Sequence, residues 1–216
     1  TTFMRIGIDC RLFSSKFTGI GRYTHELVNQ ITTLNNKLKN PHQIILFFNN
    51  PEYSGFSPPK NSHKILVNAK HYSLAEQTRF LFKLNQAKLD LMHFTHFNVP
   101  ILYRRPYIVT IHDLTLSLFS GHKKRKWYHR FAYHLTINNA TKRAKKIIAV
   151  SHHTKKDLVE IMKIGKEKIQ VIYHGINPKF TLMSDASKLQ KTLDKYNITK
   201  QFLLYTGAWR NHKNLP

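Results

Sequence analysis

Acid is scarce in this chain. Its 216 residues carry 11 Asp plus Glu against 35 Lys plus Arg, a formal net charge of +24, and no acid lies between Asp113 and Asp157. A field of that sign favours anionic partners such as nucleic acid, anionic lipid or phosphorylated substrates, and is silent on fold. Cysteine is nearly absent as well: Cys10 stands alone, which excludes an intrachain disulfide. With no signal-peptide pattern at the N-terminus, a reducing cytosolic compartment is expected. Long hydrophobic runs are missing. The run Ile44-Ile45-Leu46-Phe47-Phe48 falls far short of the about 20 residues that span a bilayer, so any membrane contact would be peripheral. There is no internal repeat, no low-complexity tract and no H-E-x-x-H helix.

What is present is an alternation of short apolar runs with helix-period segments, the signature of β-α units and a mostly parallel sheet. Strands are expected at residues 4–9, 42–48, 63–68, 89–93, 107–111, 146–150, 169–173 and 202–205. From Ile20 the apolar positions Tyr23, Leu27, Ile31, Leu34 and Leu38 recur every three or four residues, which predicts a helix to about residue 39. Ser73 with Glu76 three residues on reads as a capping box opening a helix to residue 88. A long helix is expected over 123–143, with Trp127, Phe131 and Leu135 along one face. Ser151 or Thr154 would cap the next helix, and a short one follows at 188–196. The fold class is therefore α/β: a Rossmann-like, mostly parallel sheet with helices on both faces, plus the first strand of a second domain. The domains are read as 1–177, a linker with a short helix at 178–200, and the start of another domain at 201–216.

Five stretches could carry chemistry. Gly19 and Gly21 fall between the first strand and its helix, where a close-approaching backbone and free helix N–H groups suit an anion. Two glycines equally suit a plain helix start, although Arg22 is an odd choice for one, since cations are disfavoured at that end. His112 and Asp113 end the strand 107–111, and a histidine there can exchange protons near neutral pH or hydrogen-bond a ligand. It can equally serve its own loop. His93 and His96 form H-x-x-H, but zinc needs three or four ligands, so no metal is expected. An acceptor-facing loop with a structural histidine is the better reading. Lys123, Lys124, Arg125, Lys126 and Arg130 surround Trp127 in the acid-free tract, which suits a helix on an anionic membrane surface. Nucleic acid is disfavoured because no recognition signature accompanies the charge. Finally, Arg210 and Lys213 follow a strand and Gly207, placed to reach one diphosphate or simply to form a basic loop.

The ordered motifs "TGIGRYTHEL", "LDLMHFTHFNVP", "YIVTIHDL", "KKIIAVSHHTKKDL", "IQVIYHGIN" and "FLLYTGAWRNHKNL" together resemble the retaining glycosyltransferases of family 4 (GT4), which have the GT-B fold, and within them the mannosyltransferase-like members. The resemblance runs from Met4 to Pro216. It implies two Rossmann-like lobes facing a cleft, the N-terminal lobe receiving the acceptor and the C-terminal lobe holding a nucleotide-sugar such as a GDP- or UDP-hexose. No cofactor is implied. By that resemblance Gly19 and Gly21 approach the donor diphosphate and His112 contacts the transferred sugar. Arg22, His93, His96, Asp113, Ser151 and Gly175 line the acceptor side of the cleft or its hinge. Arg210 and Lys213 neutralise the diphosphate leaving group. The implied activity is retaining transfer of a hexose, with mannose the candidate, to a lipid-linked or polysaccharide acceptor on the cytoplasmic face of the membrane. A paired-glutamate motif, E-x7-E, belongs to the donor lobe and has no counterpart in these residues. The chain is accordingly expected to be an N-terminal half, inactive alone, with a possible separate C-terminal half as its partner. A non-catalytic basic module binding anionic membrane or nucleic acid is the rival reading.

Overall fold

The computed structural model describes residues 2–14, 18–114, 127–176, 180–182 and 184–207. The chain divides into two compact units, Thr1–His174 and Gly175–Pro216.

The first unit is a seven-stranded sheet with every pairing parallel. Its strands are β1 (Arg5–Asp9), β2 (Gln43–Phe48), β3 (Ser62–Leu66), β4 (Leu91–Phe94), β5 (Tyr107–Ile111), β6 (Lys146–Ala149) and β7 (Ile169–Val171). The spatial order is β3-β2-β1-β4-β5-β6-β7. Chain progress reverses between β1 and β4, which makes their carboxyl ends the switch point where open α/β sheets bind ligands. Register across that point aligns Ile8 with His93, and Asp9 lies opposite Phe47 on the other side.

Both faces of the sheet are buried, as a parallel sheet requires. On β2 the residues Ile44, Leu46 and Phe48 join one core cluster and Ile45 and Phe47 the other. The smaller cluster takes Val28 and Ile31 from α1 (Thr18–Asn36) and Tyr53 from the short α2 (Glu52–Gly55). The larger takes Phe80 from a π-turn (Glu76–Phe80), Leu84 from α3 (Leu81–Gln86), Tyr133 and Ile137 from α4 (Trp127–Arg143), and Leu158 from α5 (His152–Glu160). Crossovers of one hand explain the segregation, because β1 to β2 runs leftward and the later connections run rightward.

Two helices turn a different face inward from the one the apolar spacing suggested. In α1 the buried positions are Gly21, Thr24, Val28, Thr32 and Asn35, while Leu34, and Leu38 just past the helix end, stay exposed. Small and locally satisfied residues make this possible. Thr24 and Thr32 donate to the carbonyls of Ile20 and Val28, and the Asn35 amide exchanges two 2.8 Å bonds with the His42 backbone. In α4, Tyr133, Ile137 and Ala140 face the core, and Phe131 and Leu135 point outward at 63% and 44% exposure.

In the second unit α6 (Ala186–Lys195) is capped by the Asp185 carboxylate, which accepts from the Ser187 and Lys188 amides. The segment 202–205, expected as a strand, pairs with nothing among the described residues, and Leu203 and Leu204 are fully or largely exposed. A lone strand has no ladder to satisfy its backbone, so it remains irregular. An open groove of about 930 Å³ lies between α6 and this segment, lined by Leu193, Ile198, Phe202 and Leu203 among others. None of the candidate site residues lines it. No helix among the described residues is long and apolar enough to cross a membrane.

Candidate functional site

His112 leaves the end of β5 beside the switch point. Its Nε2 lies 2.9 Å from the Thr95 carbonyl oxygen, and only a donor can satisfy that contact, so Nε2 carries the proton. Thr95 is itself held, its hydroxyl donating to the Asp9 carbonyl at 2.8 Å. Tyr23, in the second turn of α1, meets the His112 ring edge-on with centroids 5.0 Å apart, and His174 completes a cluster at 5.0 Å from Tyr23 and 5.6 Å from His112. The start of α1 and the imidazole therefore share one edge of the sheet. Burial pushes the His112 pKa below its ordinary value, the Thr95 carbonyl opposes this, and the His174 ring adds to the lowering. The ring is neutral at pH 7, protonated on Nε2, which leaves Nδ1 as a hydrogen-bond acceptor.

Gly19 and Gly21 sit inside the first turn of α1 rather than in a loop before it. No described glycine has a positive φ. Gly19 is exposed, and an added Cβ there would meet nothing within 4 Å. Gly19 thus offers a helix-start N–H with open space beside it, whereas Gly21 is buried. Arg22 is exposed on the same turn.

The H-x-x-H pair separates. His93 belongs to β4, not to a loop, and is 4% exposed, with Nε2 2.8 Å from the Thr110 hydroxyl, which in turn meets the Tyr23 hydroxyl at 2.9 Å. A relay in which Tyr23 donates to Thr110 and Thr110 to a neutral His93 satisfies all three. Burial takes the His93 pKa down to about 4. His93 is thus a buried structural histidine on β4, within the strand expected at 89–93, and the loop begins after Phe94. His96 does lie in that loop. Its Nδ1 donates to the Asn98 side-chain oxygen at 2.6 Å, and burial followed by the His112 ring lowers its pKa to about 4. Among the described residues no group of acids, histidines or cysteine could hold a metal.

A buried charged cluster lies directly under this loop, and no sequence motif pointed to it. Arg11, 2% exposed, forks onto Asp9 through Nε at 2.9 Å and Nη2 at 2.7 Å, reaches Glu76 at 3.4 Å and donates to the Asn98 carbonyl at 2.9 Å. Its guanidinium also lies 4.0 Å over the Phe80 ring. Burial raises the Asp9 pKa, but Arg11 outweighs it and holds the carboxyl below its ordinary value. Burial pushes Glu76 up, and Arg11 offsets only part of that. His71, beside them, is lowered by burial and then by Arg11 to about 3. Three buried nitrogens here have no hydrogen-bond partner: Arg11 Nη1, His71 Nε2 and Asn98 Nδ2. The one available clue was the rarity of acids, which makes a D-x-R at the end of the first strand conspicuous. Glu76 does begin a helical stretch, yet its carboxylate bonds the Tyr72 amide at 2.6 Å instead of completing the reciprocal capping box on Ser73.

Ser151 is the N-cap of α5, accepting from the Thr154 amide at 3.0 Å, while the Thr154 hydroxyl donates to the His112 carbonyl at 3.2 Å. Asp113 is exposed beside His112, and Gly175 is exposed with open space around it. Arg130 is exposed on α4, and Trp127 opens that helix. Lys123, Lys124, Arg125, Lys126, Arg210 and Lys213 lie outside the described residues.

Comparison with known proteins agrees with this architecture. Residues 17–180 match the family model described as Glycosyltransferase Family 4. An uncharacterized glycosyltransferase of Methanocaldococcus jannaschii is 28% identical over 126 residues, covering 54% of this chain and 31% of that protein. Among solved structures, Anabaena HepE in complex with UDP-glucose superposes with a TM-score of 0.53 at 18% identity, over 90% of this chain and 50% of HepE. Sucrose-phosphate synthase from Thermosynechococcus elongatus gives 0.61 at 14% identity, over 88% of this chain and 53% of that one. The chain thus matches about a third of the curated relative and about half of these solved structures, and the structural likeness is one of fold.

Proposed function

Because the chain belongs to glycosyltransferase family 4, we propose that it forms the acceptor-side lobe of a retaining hexosyltransferase. The donor is a nucleotide-sugar, and the acceptor a lipid-linked or polysaccharide chain. The observation that carries this reading is the meeting of α1 and β5 at the switch point, where Tyr23 and His112 pack ring to ring at 5.0 Å. That contact sets helix-start amides, which suit a diphosphate, near a neutral imidazole whose Nδ1 can accept a bond from a sugar hydroxyl. HepE, which shares the fold, was solved with UDP-glucose, and this supports the donor class. In this reading Arg210 and Lys213 meet the negative charge that grows on the diphosphate as the glycosidic bond breaks. No divalent ion is then required, and EDTA leaves turnover unchanged.

Transfer is a property of a protein carrying both lobes, and the test belongs there. His112→Ala in a protein carrying both lobes lowers kcat by about a hundredfold, the usual cost of removing one positioned polar group from a reacting centre, while the circular dichroism spectrum stays unchanged. Turnover within twofold of wild type removes His112 from the site.

The outward face of α4 supports contact with an anionic membrane. Phe131 and Leu135 are exposed there beside exposed Arg130, the combination of apolar insertion and basic attraction that interfacial helices use. Flotation with vesicles containing anionic lipid recovers the protein, and Phe131→Glu reduces the recovered fraction. Equal recovery with neutral vesicles contradicts this surface.

A further inference from the structure

We propose that Arg11 is a positioning residue for the site: clamped between Asp9 and Glu76, it immobilises the loop 95–98, whose Thr95 carbonyl holds the His112 imidazole in one orientation with Nε2 protonated. This rests on the reading above that His112 works at the crevice, but the contact it describes is observable without any turnover.

The loop after β4 has no ladder partner of its own, so side chains must hold it. Arg11 Nη2 fixes the Asn98 carbonyl at 2.9 Å. The Asn98 side-chain oxygen accepts a hydrogen bond from His96 Nδ1 at 2.6 Å, and the Thr95 hydroxyl donates to the Asp9 carbonyl. Each of these ties leads back to Asp9 or Arg11 at the end of β1. Among the described residues the imidazole is hydrogen-bonded through Nε2 to the Thr95 carbonyl, so any shift of this loop reaches His112 directly.

Stability alone does not account for the cluster. Arg11 and Glu76 side chains are 0% and 1% exposed, and well-packed apolar residues of similar volume are commonly as stable as a buried ion trio, or more so. A guanidinium held by a bidentate carboxylate on one side and a Phe80 face on the other has its orientation fully specified. The yield of such an arrangement is geometry, and the geometry it defines is that of the 95–98 backbone.

The experiment compares wild type with Arg11→Lys and with the charge-free triple variant Asp9→Asn/Arg11→Met/Glu76→Gln. The triple variant leaves no unpaired buried charge and so keeps the test open if a single substitution fails to fold. Folding is verified by circular dichroism. The readout is exchange of the His112 Nε2 proton with water in nitrogen-15 imidazole spectra, which a hydrogen bond to Thr95 retards. In folded variants this exchange accelerates by at least about tenfold, as expected when a local hydrogen bond opens more often. Lysine restores the charge but not the fork, so it restores folding without restoring slow exchange. Wild-type exchange in a folded triple variant overturns the proposal. In a protein carrying both lobes the same substitutions lower kcat and leave the donor KM unchanged. Should His112→Ala leave turnover intact while Arg11 variants still release the Nε2 proton, the positioning role stands and the functional reading falls.

Discussion

Thr110 shows how much rests on single hydroxyls beneath this site. It lies between the buried His93 ring and the Tyr23 phenol, at 2.8 and 2.9 Å, and Tyr23 in turn supports His112. Thr110→Val keeps the shape and removes both contacts. It should lower unfolding free energy by about 2 kcal/mol, because two buried polar groups lose their partner. Urea denaturation measures this, and an unchanged midpoint would show that the relay carries no energy. At the same scale the tautomer of His112 follows from its partner alone: a carbonyl accepts only from a protonated nitrogen.

Among the elements, α5 illustrates a residue whose local role is complete without a ligand. Ser151 begins it with a non-helical backbone and a side chain bonded to the Thr154 amide, as an N-cap requires. Ser151→Ala should destabilise the unit by about 1 kcal/mol, while Ser151→Asn, also a good cap, should retain most of it. If both variants melt like wild type, the cap is not limiting. Helices α1 and α4 make a different point. Apolar spacing correctly announced both, but in α1 the buried stripe is mostly small or polar, with Gly21, Thr24, Thr32 and Asn35 around Val28, and in α4 Phe131 and Leu135 face out. A helix facing a sheet closely can prefer Gly and Thr where bulky side chains would hold it away, and this choice is invisible to a hydrophobicity pattern.

At the scale of the whole molecule, the buried histidines make stability depend on pH. His93 and His96 are lowered to about 4 and His71 to about 3, all chiefly by burial. In the unfolded chain each protonates near its ordinary value of about 6.5. Between about pH 6.5 and 4 the unfolded state therefore binds more protons, so stability is full above pH 6.5 and falls as pH drops through that window. Each ring contributes up to about 1.4 kcal/mol per pH unit there. Urea midpoints at pH 7, 6 and 5 should decline progressively, and a flat series would contradict neutral burial. The formal charge of +24 acts in the same direction through self-repulsion, a part that added salt relieves.

The alternation of strands and helices, the α/β class and the placing of His112 at a strand end were readable from the amino-acid order, because hydrophobic period and turn chemistry act over a few residues. The sequence on its own also determined that the chain carries a large net positive charge and no intrachain disulfide. Only the tertiary structure decided that Glu76 would meet Arg11 across 65 residues, that His93 would point into the sheet, and that Phe131 would face outward. Those outcomes depend on parallel register and on which helix packs on which face. Such long-range choices are settled by the joint packing of the chain, and no local window of residues contains them.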